Sequence, residues 1–150
     1  MTLSQKETML LGELRSQEQI CIEKYGDYSN RAKDAQLKNI FGMLMQKEQE
    51  HMNTIDQMLS GTVPQMNGSC GSNMPQPKAS DYSGEDKNAD KYLCMDALAN
   101  EKHVSSVYDM SIFEFRDEGM RNALNHIQKE EQEHGKQIYD FMAANGMYSA

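Results

Sequence analysis

At 150 residues, the chain is long enough to bury one core without disulfide or metal staples. Its formal charge of −8 comes with no cluster of Lys or Arg, which argues against nucleic acid and anionic membrane as partners, and no apolar run nears the ~20 residues of a bilayer span. The three cysteines are odd in number and contain no CxxC pair, which argues against a disulfide framework, a zinc finger or a rubredoxin-type iron site.

The opening MTLSQKETMLLGELRSQ lacks a basic region followed by an apolar stretch and a cleavage site, so no secretory signal is expected and the product is expected to stay inside a cell. Ser4 followed by Glu7 has the form of a capping box and predicts a first helix over 4–31, with Leu11, Leu14, Cys21, Tyr25 and Tyr28 near one stripe. A second helix is predicted over 34–60, ending at Gly61 as C-cap, with Leu37, Phe41, Leu44, Ile55 and Met58 as its apolar positions. Residues 61–89 hold all three prolines and four of the ten glycines; they read as a linker, more a mobile crossover strap than a binding segment. A third helix is predicted over 90–115 and a fourth over 117–145, the latter with Met120, Leu124, Ile127, Ile138 and Phe141 on its stripe. The fold expected is all-α: four helices in one domain, 1–150. Cys21 and Cys94 fall near apolar helix positions and read as small buried hydrophobes. Cys70, in GSCGS, is expected to be the exposed, reactive thiol. Met43, Met45 and Met52 read as core filler before any role as an oxidant sink.

The tetrapeptide EQEH occurs twice, ending once at His51 and again at His134. The apolar seam of the second helix steps 37, 41, 44, 48, 51, 55, 58, and that of the fourth steps 120, 124, 127, 131, 134, 138, 141. Glu48, His51, Glu131 and His134 therefore stand where Leu or Ile is expected, on the buried seam. Glu50 and Glu133 of the same tetrapeptides point elsewhere, towards solvent. Upstream, Glu18 precedes Glu48 by the same interval that separates Glu101 from Glu131, and Tyr25 and Tyr108 follow Glu18 and Glu101 at matching positions. The glutamate pairs are centred on Lys33 and Arg116, in the predicted interhelix turns. Antiparallel helices then carry Glu18 level with Glu48, and Glu101 level with Glu131, ~22 Å from each turn.

Four ionised carboxylates facing one another in a core would repel and lose hydration, so they must take up protons or enclose cations. Two divalent ions balance four carboxylates, with one neutral imidazole completing each shell. A Glu from each of two helices plus Glu-x-x-His from the other two is the ligand rule of di-iron and di-manganese carboxylate bundles. The six metal-ligand candidates are thus Glu18, Glu48, His51, Glu101, Glu131 and His134, for two Fe or Mn ions, with Zn as a substitute. The bland alternative is a set of protonated remnants, or carboxylates paired with a base such as Lys24. His103 and His126 lie off the seam and read as surface histidines. Tyr25 and Tyr108 either donate hydrogen bonds behind the ligands or serve as ordinary core.

The second half, EKHVSSVYDMSIFEFRDEGMRNALNHIQKEEQEHGKQIYDFMAANGMY, resembles the spore-coat F proteins of endospore-forming bacteria, within the ferritin-like bundles. The likeness rests on the Glu-Lys-His start, Tyr108 two turns further on, the LNHIQKEEQEHG block and the terminal NGMY. The first half resembles the same family more loosely, and also the first hairpin of rubrerythrin, where the interval from Glu to Glu-x-x-His is longer. The resemblance implies a ferritin-like antiparallel bundle of two duplicated helix hairpins, with a long crossover between helices 2 and 3. It also implies production in the mother-cell cytoplasm and residence in or around the spore coat. Expected partners are metal ions, other coat proteins or further copies of the chain, which the linker cysteine could cross-link. Two readings stay open: a di-iron or di-manganese oxidoreductase of peroxidase, catalase or oxidase type acting on peroxide or dioxygen, and a structural coat component whose site is metal-free or only stabilising.

Overall fold

A computed structural model describes residues 1–66 and 74–148. It contains four α-helices: α1 (Gln5–Arg31), α2 (Ala35–Leu59), α3 (Gly84–Ile112) and α4 (Glu118–Ala144). No strand occurs among the described residues. The expected capping box is present, Ser4 accepting from the Glu7 amide while the Glu7 carboxylate accepts from the Ser4 amide. Asp34 and Asp117, at equivalent places in the two halves, cap α2 and α4 by accepting from the amides of Leu37 and Met120. Both turns fall where the sequence midpoints place them.

The third helix differs from expectation. It starts at Gly84 rather than near Asp90, and ends at Ile112 rather than 115. Its first turns, GEDKNA, carry no apolar stripe, so periodicity misses them. Glu85 and Asp86 in the first turn instead suit the positive end of the helix dipole. The linker therefore closes at residue 83 rather than 89.

Contacts at the ends fix the helix directions. Lys6 pairs with Glu114 at 2.9 Å and Lys33 donates its amide to Asp90 at 2.8 Å, so α1 and α3 are antiparallel. Arg15 meets Asp56 at 2.6 Å, which makes α1 and α2 antiparallel. Val63, just beyond α2, abuts Gly119 at the start of α4, so those helices oppose as well. Accordingly α2 and α3 run parallel, and the chain must return along the bundle, ~37 Å for a 25-residue helix. Gly61 begins that return at φ 85°, with Met1 O only 2.6 Å from where a Cβ would stand; only glycine fits there.

The described part of the return is not a loose strap. Pro64 and Pro77 are buried. Gln36 and Lys78 exchange two hydrogen bonds, side-chain amide to backbone, at 2.8 and 2.9 Å. Gln137 donates to Pro75 O at 3.1 Å, and Ser80 donates its amide to Asn145 at 2.8 Å. Cys70 lies outside the described residues. No helix is long and apolar enough to cross a membrane among the described residues.

Both predicted seams are buried throughout, from Leu37 to Met58 and from Met120 to Phe141. Cys21 and Cys94 are buried thiols; burial pushes the Cys94 pKa up to about 12, so it behaves as a hydrophobe. Met58, Met120 and Met142 fill the core, while Met43, Met45 and Met52 are half-buried.

Two buried carboxylates lock the hairpins together. Asp90, on α3, accepts from the amides of Lys33 and Asp34 in the α1–α2 turn and from the Tyr82 hydroxyl at 3.0 Å. Glu7, its counterpart on α1, accepts from the Arg116 amide in the α3–α4 turn at 3.1 Å and from its guanidinium. Each hairpin thus caps the turn of the other.

Candidate metal centre

Glu-x-x-His spacing puts both side chains on one helix face, and on α2 and α4 that face is the seam. Glu18, Glu48 and Glu131 are wholly buried, and Glu101, His51 and His134 are within 3% of it. All six sequence-predicted residues meet at one level of the bundle. They fall into two overlapping groups, Glu18–Glu48–His51–Glu131 and Glu48–Glu101–Glu131–His134. Within each group the donor atoms all lie within 4.8 Å of one another. Glu48 and Glu131 belong to both groups and stand between them. The imidazoles of His51 and His134 lie nearly parallel, centroids 5.5 Å apart, each presenting Nδ1 to the carboxylates.

The outer face of the cluster is held by hydrogen bonds that cross between hairpins. Tyr25 on α1 donates to Glu101 Oε1 on α3, and Tyr108 on α3 donates to Glu18 Oε1 on α1 at 2.5 Å. The tyrosines are core residues and hydrogen-bond donors at once. Each fixes one oxygen of a glutamate and leaves the other facing inward.

Those inward atoms make no hydrogen bond. Glu18 Oε2, both oxygens of Glu48, Glu101 Oε2, Glu131 Oε2 and His134 Nδ1 are buried without a hydrogen bond. Glu48 Oε1 lies 2.7 Å from His134 Nδ1, yet neither atom has hydrogen-bond alignment with the other. Buried polar atoms are rarely left this way. Donors crowded at ligand distances and aimed at shared points are what a bound cation requires. No Lys or Arg neutralises the cluster among the described residues. Lys24, the candidate base, bonds instead to Asp96 at 3.0 Å.

The electrostatics follow from this crowding. Burial, then the Glu48 charge, drives the Glu18 carboxyl well above its usual range. Burial and the neighbouring Glu101 do the same to Glu131. Glu48 goes the other way: burial acts to raise it, and the imidazoles of His134 and His51 overcome that. Both imidazoles are raised well above the ordinary value, burial being outweighed by the carboxylates around them. Without a cation, protons would have to do the neutralising.

The chain's sequence did not announce Glu130. Its Oε1 lies 3.1 Å from His51 Nε2, the nitrogen facing away from the cluster, and 3.2 Å from His126 Nε2. His126 is thus half-buried beside the site and paired with Glu130 rather than a free surface histidine; the i,i+4 spacing to Glu130 is the available signal. His103 is exposed, as expected, and so is Glu50, while Glu133 is half-buried. A groove of about 810 Å³ between α3 and α4 reaches Glu101 and Glu131.

No curated protein and no solved structure matches the chain. Residues 89–150 match the family model of the Coat F domain. That span takes in nearly all of α3, all of α4, and with them Glu101, Glu131 and His134. The second helical hairpin of this protein is thus similar to the Coat F domain.

Proposed function

We propose that this is a spore-coat protein whose two ferritin-like hairpins, related by duplication, enclose a dinuclear centre of Fe or Mn ions that reacts with peroxide or dioxygen. The observation that carries the reading is the set of five carboxylate oxygens and one imidazole nitrogen buried without a hydrogen bond at a single level of the core. Four carboxylates without a Lys or Arg among the described residues match the charge of two divalent ions. One constant sequence offset relates Glu18 to Glu101, Glu48 to Glu131 and His51 to His134, and it also relates Glu7 to Asp90 and Asp34 to Asp117, which supports the duplication. The match of residues 89–150 to the Coat F domain supports the location: made in the mother cell and retained in the coat.

When bound, such ions supply Lewis acidity and the one-electron changes that peroxide or dioxygen reduction needs. Glu18 and Glu101 would each hold one ion, with the other oxygen steadied by Tyr108 and Tyr25. Glu48 and Glu131, common to both groups, would serve both ions, and His51 and His134 would each complete the ligand set of one. The apolar seams pack above and below the level of the ligands.

A second reading has its own support. The two ligand groups draw on α1, α2 and α4, and on α2, α3 and α4, so bound ions would staple the hairpins and stabilise a coat component without turnover. Chelator-stripped protein reloaded with Fe(II) or Mn(II) and given hydrogen peroxide separates them. Peroxide consumption that disappears in Glu48→Ala/Glu131→Ala supports the redox reading. Retained metal without consumption leaves the structural one.

A further inference from the structure

We propose that the two ion positions are unequal: the position built on Glu18 and His51 fills first and holds its ion tightly, while the position built on Glu101 and His134 exchanges its ion through the groove between α3 and α4. The inference rests on the dinuclear reading and concerns which half of the site does which job. Two independent observations carry it.

The first is the asymmetric support of the histidines. His51 is gripped on both nitrogens, Nδ1 towards the cluster and Nε2 by Glu130 at 3.1 Å. A carboxylate on the far nitrogen fixes the tautomer and orientation of a ligating imidazole and raises its basicity. Among the described residues His134 has no such support, since every carboxylate paired with it approaches Nδ1. The counterpart of Glu130 in the first hairpin is Lys47, of the opposite charge, and it reaches Glu50 at the surface at 3.4 Å.

The second is access. The α3–α4 groove is lined by Leu98, Glu101, Gln128, Glu131, Gly135 and Tyr139, among others. Glu101 belongs only to the His134 group. Gly135 keeps the wall thin: a Cβ there would stand 3.5 Å from Leu98 Cδ1, so any longer side chain would occupy the groove. The counterparts of Gly135 and Leu98 in the first hairpin are Met52 and Arg15, and Arg15 is tied down by Asp56 at 2.6 Å. One face of the site is therefore built with bulk where the other carries a glycine. Glu130 is a positioning residue in this scheme; it touches His51 and not the ions.

The test is a Co(II) titration of the chelator-stripped full chain by equilibrium dialysis, followed by a chelator chase, with thermal melts to establish that each variant folds. The unaltered chain should bind two ions in two separable steps. Glu130→Gln should weaken the tight step about 10- to 100-fold and leave the weaker step unchanged. Gly135→Met should slow the chase of the weaker ion only, and Gly135→Ala, whose Cβ meets Leu98 at ordinary contact distance, should slow it less. Two ions bound with equal affinity, or a Glu130→Gln effect spread over both steps, would overturn the inference while leaving the dinuclear reading intact. If the unaltered chain bound no Co(II), the dinuclear reading would fall and this inference with it.

Discussion

Glu131→Gln should stabilise the protein in chelator and abolish its stabilisation by metal. The substitution keeps shape and volume but removes one of four buried carboxylates whose donor atoms lie within 4.8 Å of one another in each group. At that separation one like-charge pair costs about 3–4 kcal/mol at an effective dielectric constant near 20. Protons taken up by Glu131 and Glu18 already relieve part of this, since both carboxyls are raised by burial and by neighbouring carboxylates. The remaining gain is about 1–3 kcal/mol, which for a chain of this size raises Tm by roughly 2–12 °C. With Mn(II) at ~1,000 times its dissociation constant, the unaltered chain gains about 4 kcal/mol, or roughly 8–16 °C. The variant should gain little, because Glu131 belongs to both ligand groups. Circular dichroism melts in chelator and in Mn(II) read all four values. The reasoning is refuted if the variant melts lower than the unaltered chain in chelator, or if both gain equally from metal.

Asp90→Ala leaves the amides of Lys33 and Asp34 without their acceptor; a loss of about 3 kcal/mol is expected, seen as a Tm lower by roughly 6–12 °C in chelator. Glu7, held to a pKa of about 2 chiefly by its hydrogen bond with Arg116, lies below its usual value of 4.5. Its contribution is therefore present above pH 4.5 and lost as pH falls towards 2. The stability difference between the unaltered chain and Arg116→Ala, followed by urea unfolding, should shrink across that window. For the metal-free cluster the sign is opposite: with Glu18 and Glu131 raised, stability should fall as pH rises through their folded values, and added Mn(II) should reverse the trend. Melts from about pH 5 to 8 with and without metal test this. Tyr108→Phe removes the hydroxyl donated to Glu18 and should weaken Mn(II) binding about 10-fold or more without unfolding the chain; equilibrium dialysis measures it.

Much of the site was legible because the polar ligands interrupt two otherwise apolar seams. Glu48, His51, Glu131 and His134 occupy positions that periodicity assigns to the core, and a constant offset then finds Glu18 and Glu101. Residues whose role depends on tertiary approach were harder. Glu130 sits beside Glu131 on a charged stretch, and nothing local says that it reaches across to His51 on α2. Local sequence shows Glu7 as half of a capping box, which it is, but its second task at the Arg116 turn needs α3 to arrive alongside. Periodicity puts the start of α3 near Asp90, whereas Asp90 lies inside the helix and caps the distant α1–α2 turn. The start of α3 escapes periodicity because its first turns are polar and gain from the helix dipole rather than from burial.

The measurement that bears most directly on the account is elemental analysis of the native protein beside the Glu48→Ala/Glu131→Ala double variant. About two Fe or Mn per chain, lost in the variant, is the result predicted. Native protein that carries no metal, and takes up none on anaerobic incubation with Fe(II) or Mn(II), would contradict it.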